Sequence, residues 1–209
     1  QLAVEEARSE HAQLKGTLRI TTTVEYALAV VAPAVEAFRR LHPDLNVHLS
    51  TSSTHADLIS ERFDVAIRLG RLLDSNHRAV QLSTFEVFAV AAPAFAWVKT
   101  LDELEHVPKL GHGRLTELSL IDPAGGGHQY RPGFTALTAD SAVVLQAFAV
   151  RGHGVAILPQ WLVQDDLEAG RLVRLLVGHR FAVQGIYAMY PDTRHLPLKV
   201  RAFIDFMKG

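Results

Sequence analysis

The sequence predicts an α/β protein with mainly parallel sheets, folded into two lobes between which the chain crosses twice. Three observations carry this. Segments of strand and helix texture alternate along the chain. The stretch from Gly16 to Gly70 reads as strand, helix, strand, helix, strand, and two parallel crossovers in succession make a right-handed β-α-β-α-β unit. Two long apolar strands, Phe85–Ala92 and Ile186–Tyr190, are each followed by a proline and a change of texture, which marks them as the crossings. Lobe one is then residues 16–92 with 192–209, and lobe two residues 93–191.

Taken in order, residues 1–15 (QLAVEEARSEHAQLK) lack Gly and Pro and favour helix, with a weak apolar stripe of Val4, Ala7, His11 and Leu14. On these residues alone the segment is either a frayed tail or the end of a helix leading from an upstream module. TLRITTT (Thr17 to Thr23) is short and β-branched. Leu28, Val31, Val35, Phe38 and Leu41 recur three or four apart, the buried face of a helix that Pro43 stops. Leu45, Val47 and Leu49 alternate with polar neighbours as in a strand. THADLISER supplies a short helix and FDVAIRLG a third strand closed by Gly70.

FEVFAVAAP is another apolar strand, LDELEHVPKLGHGR a short helix and loop, and LSLID a brief strand. PAGGGHQYRPG, rich in Gly and Pro, reads as a loop. FTALTADS is a strand entering a helix that Asp140 or Ser141 is placed to cap. That helix carries Val144, Leu145, Phe148 and Ala149 on one face and ends at Gly152 and Gly154. VAILP is a buried strand, QWLVQDDLEAG a helix, and FAVQGIYAMYP a longer strand. Leu196, Val200, Phe203 and Met207 mark an amphipathic closing helix.

Composition narrows the function. At 209 residues and 48% hydrophobic, the chain can bury one large core or two small ones. A net charge of −1 gives no electrostatic footprint for nucleic acid. With no cysteine there is no disulfide, thiolate metal site or cysteine nucleophile. No apolar run reaches the length of a membrane span, and no secretory signal is present. The chain begins with Gln1 rather than Met, so a fragment or processed form is expected.

The candidate site lies at the carboxyl ends of the parallel strands, where ligands gather in such sheets. These ends carry Thr21, Thr22, Thr23 and Glu25, then Ser50 to Thr54 with Ser52, Ser53 and Thr54 at the helix start, then Arg68. Asp140 and Ser141 open a further helix. Three helix N-termini with unsatisfied N–H groups, with a nearby arginine, suit an anion. Hydroxyl caps also serve purely structural ends, and Arg68 reads equally as a salt bridge to Glu25 or Asp140. Eleven histidines include no HExxH or other compact ligand spacing; His112, His128 and His153 sit in glycine-rich loop or cap contexts. GGGH lacks the Lys and Ser/Thr of a phosphate loop, and neither GxGxxG nor GxSxG occurs. Asp140, Ser141 and His153 make no triad, because adjacent positions at one helix start do not point at each other.

KGTLRITTT, VAPAVEAFRRLHPDLNVHLS, DLISERFDVAIRLG, AVAAPAF, LTADSAVVLQAFAVRGHGVAILP and LPLKVRAFIDFM, in that order and spacing, resemble the effector-binding domain of LysR-type bacterial transcriptional regulators. The resemblance runs from about Gly16 to the C-terminus. It implies a two-lobed, periplasmic-binding-protein-like (type 2) fold and a regulatory role rather than an enzymatic one, with no cofactor and no metal. In the family a winged helix-turn-helix and a long linker helix come first; neither pattern of the former is present here, so residues 1–15 read as the linker's end. Promoter DNA is then a partner of the intact protein alone, through that absent N-terminal domain. Inducers of the family lie between the lobes, which points to Thr23, Glu25, Ser53, Thr54, Arg68 and His153, Gly154 and Val155 as contacts of a small effector. Glu25 departs from an anion site, since a carboxylate there repels a second one. The resemblance further implies a homodimer or tetramer, paired through helices Ala34–Leu41 and Ser141–Arg151, in the cytoplasm and away from membranes. Two other readings stand beside it: an extracytoplasmic solute receptor of the same fold, which the polar leader disfavours, and a small enzyme on a related fold, for which no acid/base pair can be named.

Overall fold

From Ile20 onward, strand β1 (Gly16–Thr22) is buried on both faces: Ile20, Thr21 and Thr22 are each 0% exposed. A strand of that kind belongs at the centre of a sheet covered on both sides. In the computed structural model, which describes residues 13–51, 62–70, 72, 77–113, 117–131, 135 and 137–209, β1 runs parallel to β2 (Leu45–Thr51) on one edge and β3 (Val65–Leu69) on the other. The sheet continues to β13 (Gln184–Pro191), antiparallel to β3, and ends at β4 (His77–Phe85), in the order β2-β1-β3-β13-β4.

Between β1 and β2 the chain forms three consecutive helical segments: α1 (Val24–Tyr26), a π-helical turn (Ala27–Val31) and α2 (Ala32–Leu41). Pro33 explains the turn. It has no N–H to give the carbonyl of Ala29, and in a regular α-helix its ring would strike that carbonyl. The wider turn, with Ala32 N–H donating to Ala27 O, avoids the clash. Its extra residue also rotates the helix face. Val31 and Phe38 are buried as the periodicity predicts, but Leu28 is turned out to 75% exposure. The closing helix α6 (Leu198–Lys208) buries Val200, Phe203 and Ile204. Phe203 meets Phe38 edge-on at 5.4 Å. Lys199 donates to Thr17 O and lies 3.4 Å from Asp64, whose carboxylate in turn accepts from Arg19 N–H at 2.8 Å.

The chain divides into two units, Gln1–Ser83 with Ile186–Gly209, and Thr84–Gly185. The first division falls before the strand Val87–Ala91 rather than after it. That strand, β5, is hydrogen-bonded antiparallel to β10 (Ala156–Pro159) and β11 (Val173–Arg174), which places it inside the second unit. Strand sense is therefore mixed where helix–strand alternation predicts mainly parallel. The parallel pairs are β1–β2, β1–β3, and β6 (Leu110–His112) with β9 (Leu137–Ala139).

Both faces of β5 are buried. Val87, Ala89 and Ala91 join a core with Val98, Leu104, Leu120 and Tyr130. Phe88 and Val90 join another with Leu145 and Ala149 of α4 (Ala142–Val150) and Val163 of α5 (Gln160–Glu168). Thr100 and Glu103 form a reciprocal capping box on the short helix α3 (Leu101–Glu105). The stretch PAGGGHQYRPG is not wholly loop. Asp122 accepts from the N–H groups of Ala124 and Gly126, Gly125 takes a φ of +89°, and the chain returns as β8 (Gly127–Tyr130) against β7 (Leu118–Ile121). β12 (Arg180–Phe181) pairs on the other edge of β7.

Tyr130 packs edge-on against Phe181 at 6.0 Å. Burial, with a smaller push from the Glu105 charge, raises its phenol from 10.0 to about 12. Above pH 10 the unfolded chain releases this proton while the folded chain keeps it, so folding stability falls as pH rises from about 10 to 12. Urea titrations across that window should show a loss of up to roughly 3 kcal/mol, and Tyr130→Phe should remove that part of the pH dependence.

Candidate functional site

β1 ends in a polar sequence inside an apolar sheet. The hydroxyls of Thr21 and Thr22 are buried and have no hydrogen-bond partner among the described residues. Such a hydroxyl costs about 1–3 kcal/mol unless something satisfies it. Thr23 follows as N-cap, its Oγ1 accepting from Tyr26 N–H at 3.4 Å. Glu25, in the first turn, is 8% exposed.

Arg68 comes to the same region from β3. Thr21 is in register with Ala66, and alternation brings Arg68 to the face that Thr21 occupies. Arg68 is 5% exposed, and one of its guanidinium bonds, 3.3 Å to Ile67 O, turns it back along its own strand. Thr22, Thr23, Glu25 and Arg68 thus gather at the carboxyl ends of two adjacent parallel strands, as their positions in the sequence predict. Ser52, Ser53 and Thr54 lie outside the described residues.

The second unit holds the remaining candidates in two places. Ser141 occupies the N-cap position of α4, with extended backbone and its carbonyl accepting from Leu145 N–H at 3.2 Å. The expected cap bond is not made by its side chain. Asp140, just before it, is exposed.

His153, Gly154 and Val155 lie past the opposite end of α4, and the structure gives each a packing reason. Gly152 N–H donates to Ala149 O and His153 N–H to Phe148 O, the paired bonds of a glycine-terminated helix end. The His153 ring then packs edge-on against Phe148 at 5.9 Å. Val155 bonds both ways to the strand entering β6: its N–H to Pro108 O at 2.9 Å, its carbonyl from Leu110 N–H at 2.8 Å. Gly154 permits that approach, since a Cβ there would stand 2.5 Å from Pro108 O, at a φ of +149°.

His128 lies 2.6 Å from Asp122. With the Gly126 and Ala124 N–H groups, it holds that carboxyl below its ordinary range. The pair braces the β7–β8 hairpin. No group of three His, Asp or Glu side chains placed to hold a metal occurs among the described residues. Nor is any described helix long and apolar enough to cross a membrane. One feature is absent from the sequence reading: a recess between the end of β4 and the start of α5, lined by Phe85, Glu86 and Trp161 among others. Its signal in the sequence was an aromatic residue followed by a carboxylate, with Gln160 and Gln164 one helical turn apart around Trp161.

The described residues thus form an α/β chain of two units with polar residues at the carboxyl ends of its parallel strands. The LysR substrate binding domain family matches residues 11–209. The chain is 30% identical over 221 residues to the HTH-type transcriptional regulator PtxR of Pseudomonas aeruginosa, covering 99% of this chain and 68% of that protein. It is 28% identical to the regulator CrgA of Neisseria meningitidis serogroup C, covering 92% of this chain and 66% of the relative. The solved CrgA regulatory domain superposes with a TM-score of 0.79 at 25% identity, over 93% of this chain and 98% of that one. Longer CrgA gives 0.81 at 26% identity, over 99% and 72%. The chain therefore belongs to the LysR substrate-binding domain family and has its two-lobed type 2 periplasmic-binding-protein-like fold. It is the effector-binding domain of a transcriptional regulator of that family, not an enzyme.

Replacing Gly154 with Ala puts a methyl group into the Pro108 carbonyl and strains the backbone. Thermal unfolding of Gly154→Ala should show a clear loss, on the order of 1–3 kcal/mol, whereas Gly127→Ala, with open space around its Cβ position, should lie close to wild type.

Proposed function

We propose that this domain senses a small organic effector bearing an anionic group, bound between its two units, and so controls the DNA binding of the intact regulator. The observation that supports the reading is the strand end itself: Thr21 and Thr22 present buried hydroxyls without a partner among the described residues, and the buried Arg68 shares the sheet face of Thr21. Thr23, Ser52, Ser53 and Thr54 complete the first unit's side of the site. Asp140 and Ser141 supply the second unit's, where the N–H groups of α4 suit the acidic group. Glu25 selects effectors that also carry a hydroxyl or cationic group. His153, Gly154 and Val155 shape that side through packing.

Binding signals only if the effector prefers one arrangement of the units over another, and the shift cannot exceed that preference. The intact protein reads promoter DNA through a separate N-terminal domain and acts in the cytoplasm. The alternative of a solute receptor has no observation in its favour.

A panel of small carboxylic acids, screened by thermal shift and then calorimetry, identifies the effector. Arg68→Ala should weaken it by about tenfold or more, each decade being about 1.4 kcal/mol. Thr22→Val separates binding from folding: it removes an unpartnered hydroxyl, so stability should hold or rise while affinity falls. Full affinity in both variants would place the site elsewhere.

The assembly proposed is a homodimer, or a tetramer of such pairs, joined through α2 and α4. Leu41 on α2 and Val143 and Val144 on α4 support this, being apolar and 66%, 40% and 42% exposed. Light scattering should report a dimer that Val144→Asp dissociates; a monomer at every accessible concentration would refute it.

A further inference from the structure

A recess of about 360 Å³ lies wholly within the second unit, lined by Thr84, Phe85, Glu86, Gln160, Trp161 and Gln164. Its volume falls at the lower end of small-ligand sites, roughly 300–1,000 Å³. Its walls are held by backbone. The Gln160 N–H donates to Glu86 O at 2.9 Å, which ties the first residue of α5 to the link between β4 and β5.

The Phe85 and Trp161 rings stand 6.4 Å apart at 68°, so they form a corner rather than a stack. Gln160 and Gln164, four residues apart, fall on one side of α5. Gln164 spends its amide N–H on Glu168, at 2.7 Å, which leaves its amide oxygen to accept. Among the described lining residues Glu86 is ionisable and none is cationic.

Ring faces are the negative side of an aromatic group, and they attract cations. A carboxylate and amide oxygens add to that preference. We infer that this recess is a second small-molecule site, selective for an organic ammonium ion with a flat apolar body. It rests on different residues from the anion site proposed above and stands or falls independently of it. Glu86 is solvent-exposed, so its charge sets selectivity while the aromatic corner supplies most of the affinity.

The test uses the 209-residue chain with benzyltrimethylammonium as probe and benzyl alcohol as its uncharged counterpart. The chain has two tryptophans, Trp97 and Trp161, so a Trp97→Phe background leaves one indole N–H signal in ¹H–¹⁵N spectra. That signal should move saturably with benzyltrimethylammonium and at least fivefold more weakly with benzyl alcohol. Glu86→Gln should weaken the ammonium ion by about three- to fivefold, the range of an exposed charge pair. Trp161→Leu should abolish binding, with circular dichroism checking its fold; if it does not fold, Glu86→Gln carries the test. A Trp161 signal that fails to saturate, equal binding of the alcohol, or an unchanged Glu86→Gln affinity would each overturn the inference.

Discussion

Everything in the first unit depends on one strand being enclosed. β1 gives its backbone to parallel partners on both edges and, from Ile20 onward, buries its side chains on both faces, so its neighbours must cover that end on both sides. Leu18 and Ile20 make that enclosure favourable, and the Phe38–Phe203 contact between α2 and α6 closes it. Apolar burial at about 25 cal/mol per Å² is the stabilising term here. The last two residues of the strand add none of it through their hydroxyls. The core thus brings two hydroxyls without a partner among the described residues to a defined place and holds them there.

The second unit applies the same constraint with different chemistry. β5 is also buried on both faces, but its partners come from far along the chain and run against it. Its helix α4 is fixed at its C-terminal end, where Gly152, His153, Gly154 and Val155 lock onto Phe148 and Pro108. At the N-terminal end Ser141 holds the cap position with extended backbone, and its carbonyl accepts from Leu145 N–H.

Much of this was legible in the residues. A period-two pattern identified β2, and period-3.6 patterns α2, α4 and α6. β1, from Ile20 onward, and β3 are buried on both faces and showed instead as short β-branched or apolar runs, and Val144 of the α4 pattern proves exposed. β4 left no such mark: it is a polar edge strand, and its residues alternate only weakly in burial. Strand sense in the second unit was hidden, since alternation of helix and strand does not say which strands pair. Leu28 was assigned to the buried face because periodicity assumes an unbroken helix, and Pro33 inserts a wider turn. At the site, Thr22, Thr23, Glu25 and Arg68 could be read as strand-end positions. The structural duty of Gly154 could not, because the carbonyl that demands it belongs to Pro108, remote in sequence.

The tie between Lys199 and the Thr17 carbonyl spans 182 positions in sequence. The first unit therefore cannot complete its core until residues 186–209 have left the ribosome. The second unit, by contrast, is one continuous stretch of chain. During synthesis the second unit can reach its native contacts first, while β1 waits with its apolar residues uncovered. Vectorial synthesis thus makes the carboxyl end of β1 among the last parts of these two units to mature, and the nascent chain's exposure to aggregation and chaperones is concentrated there.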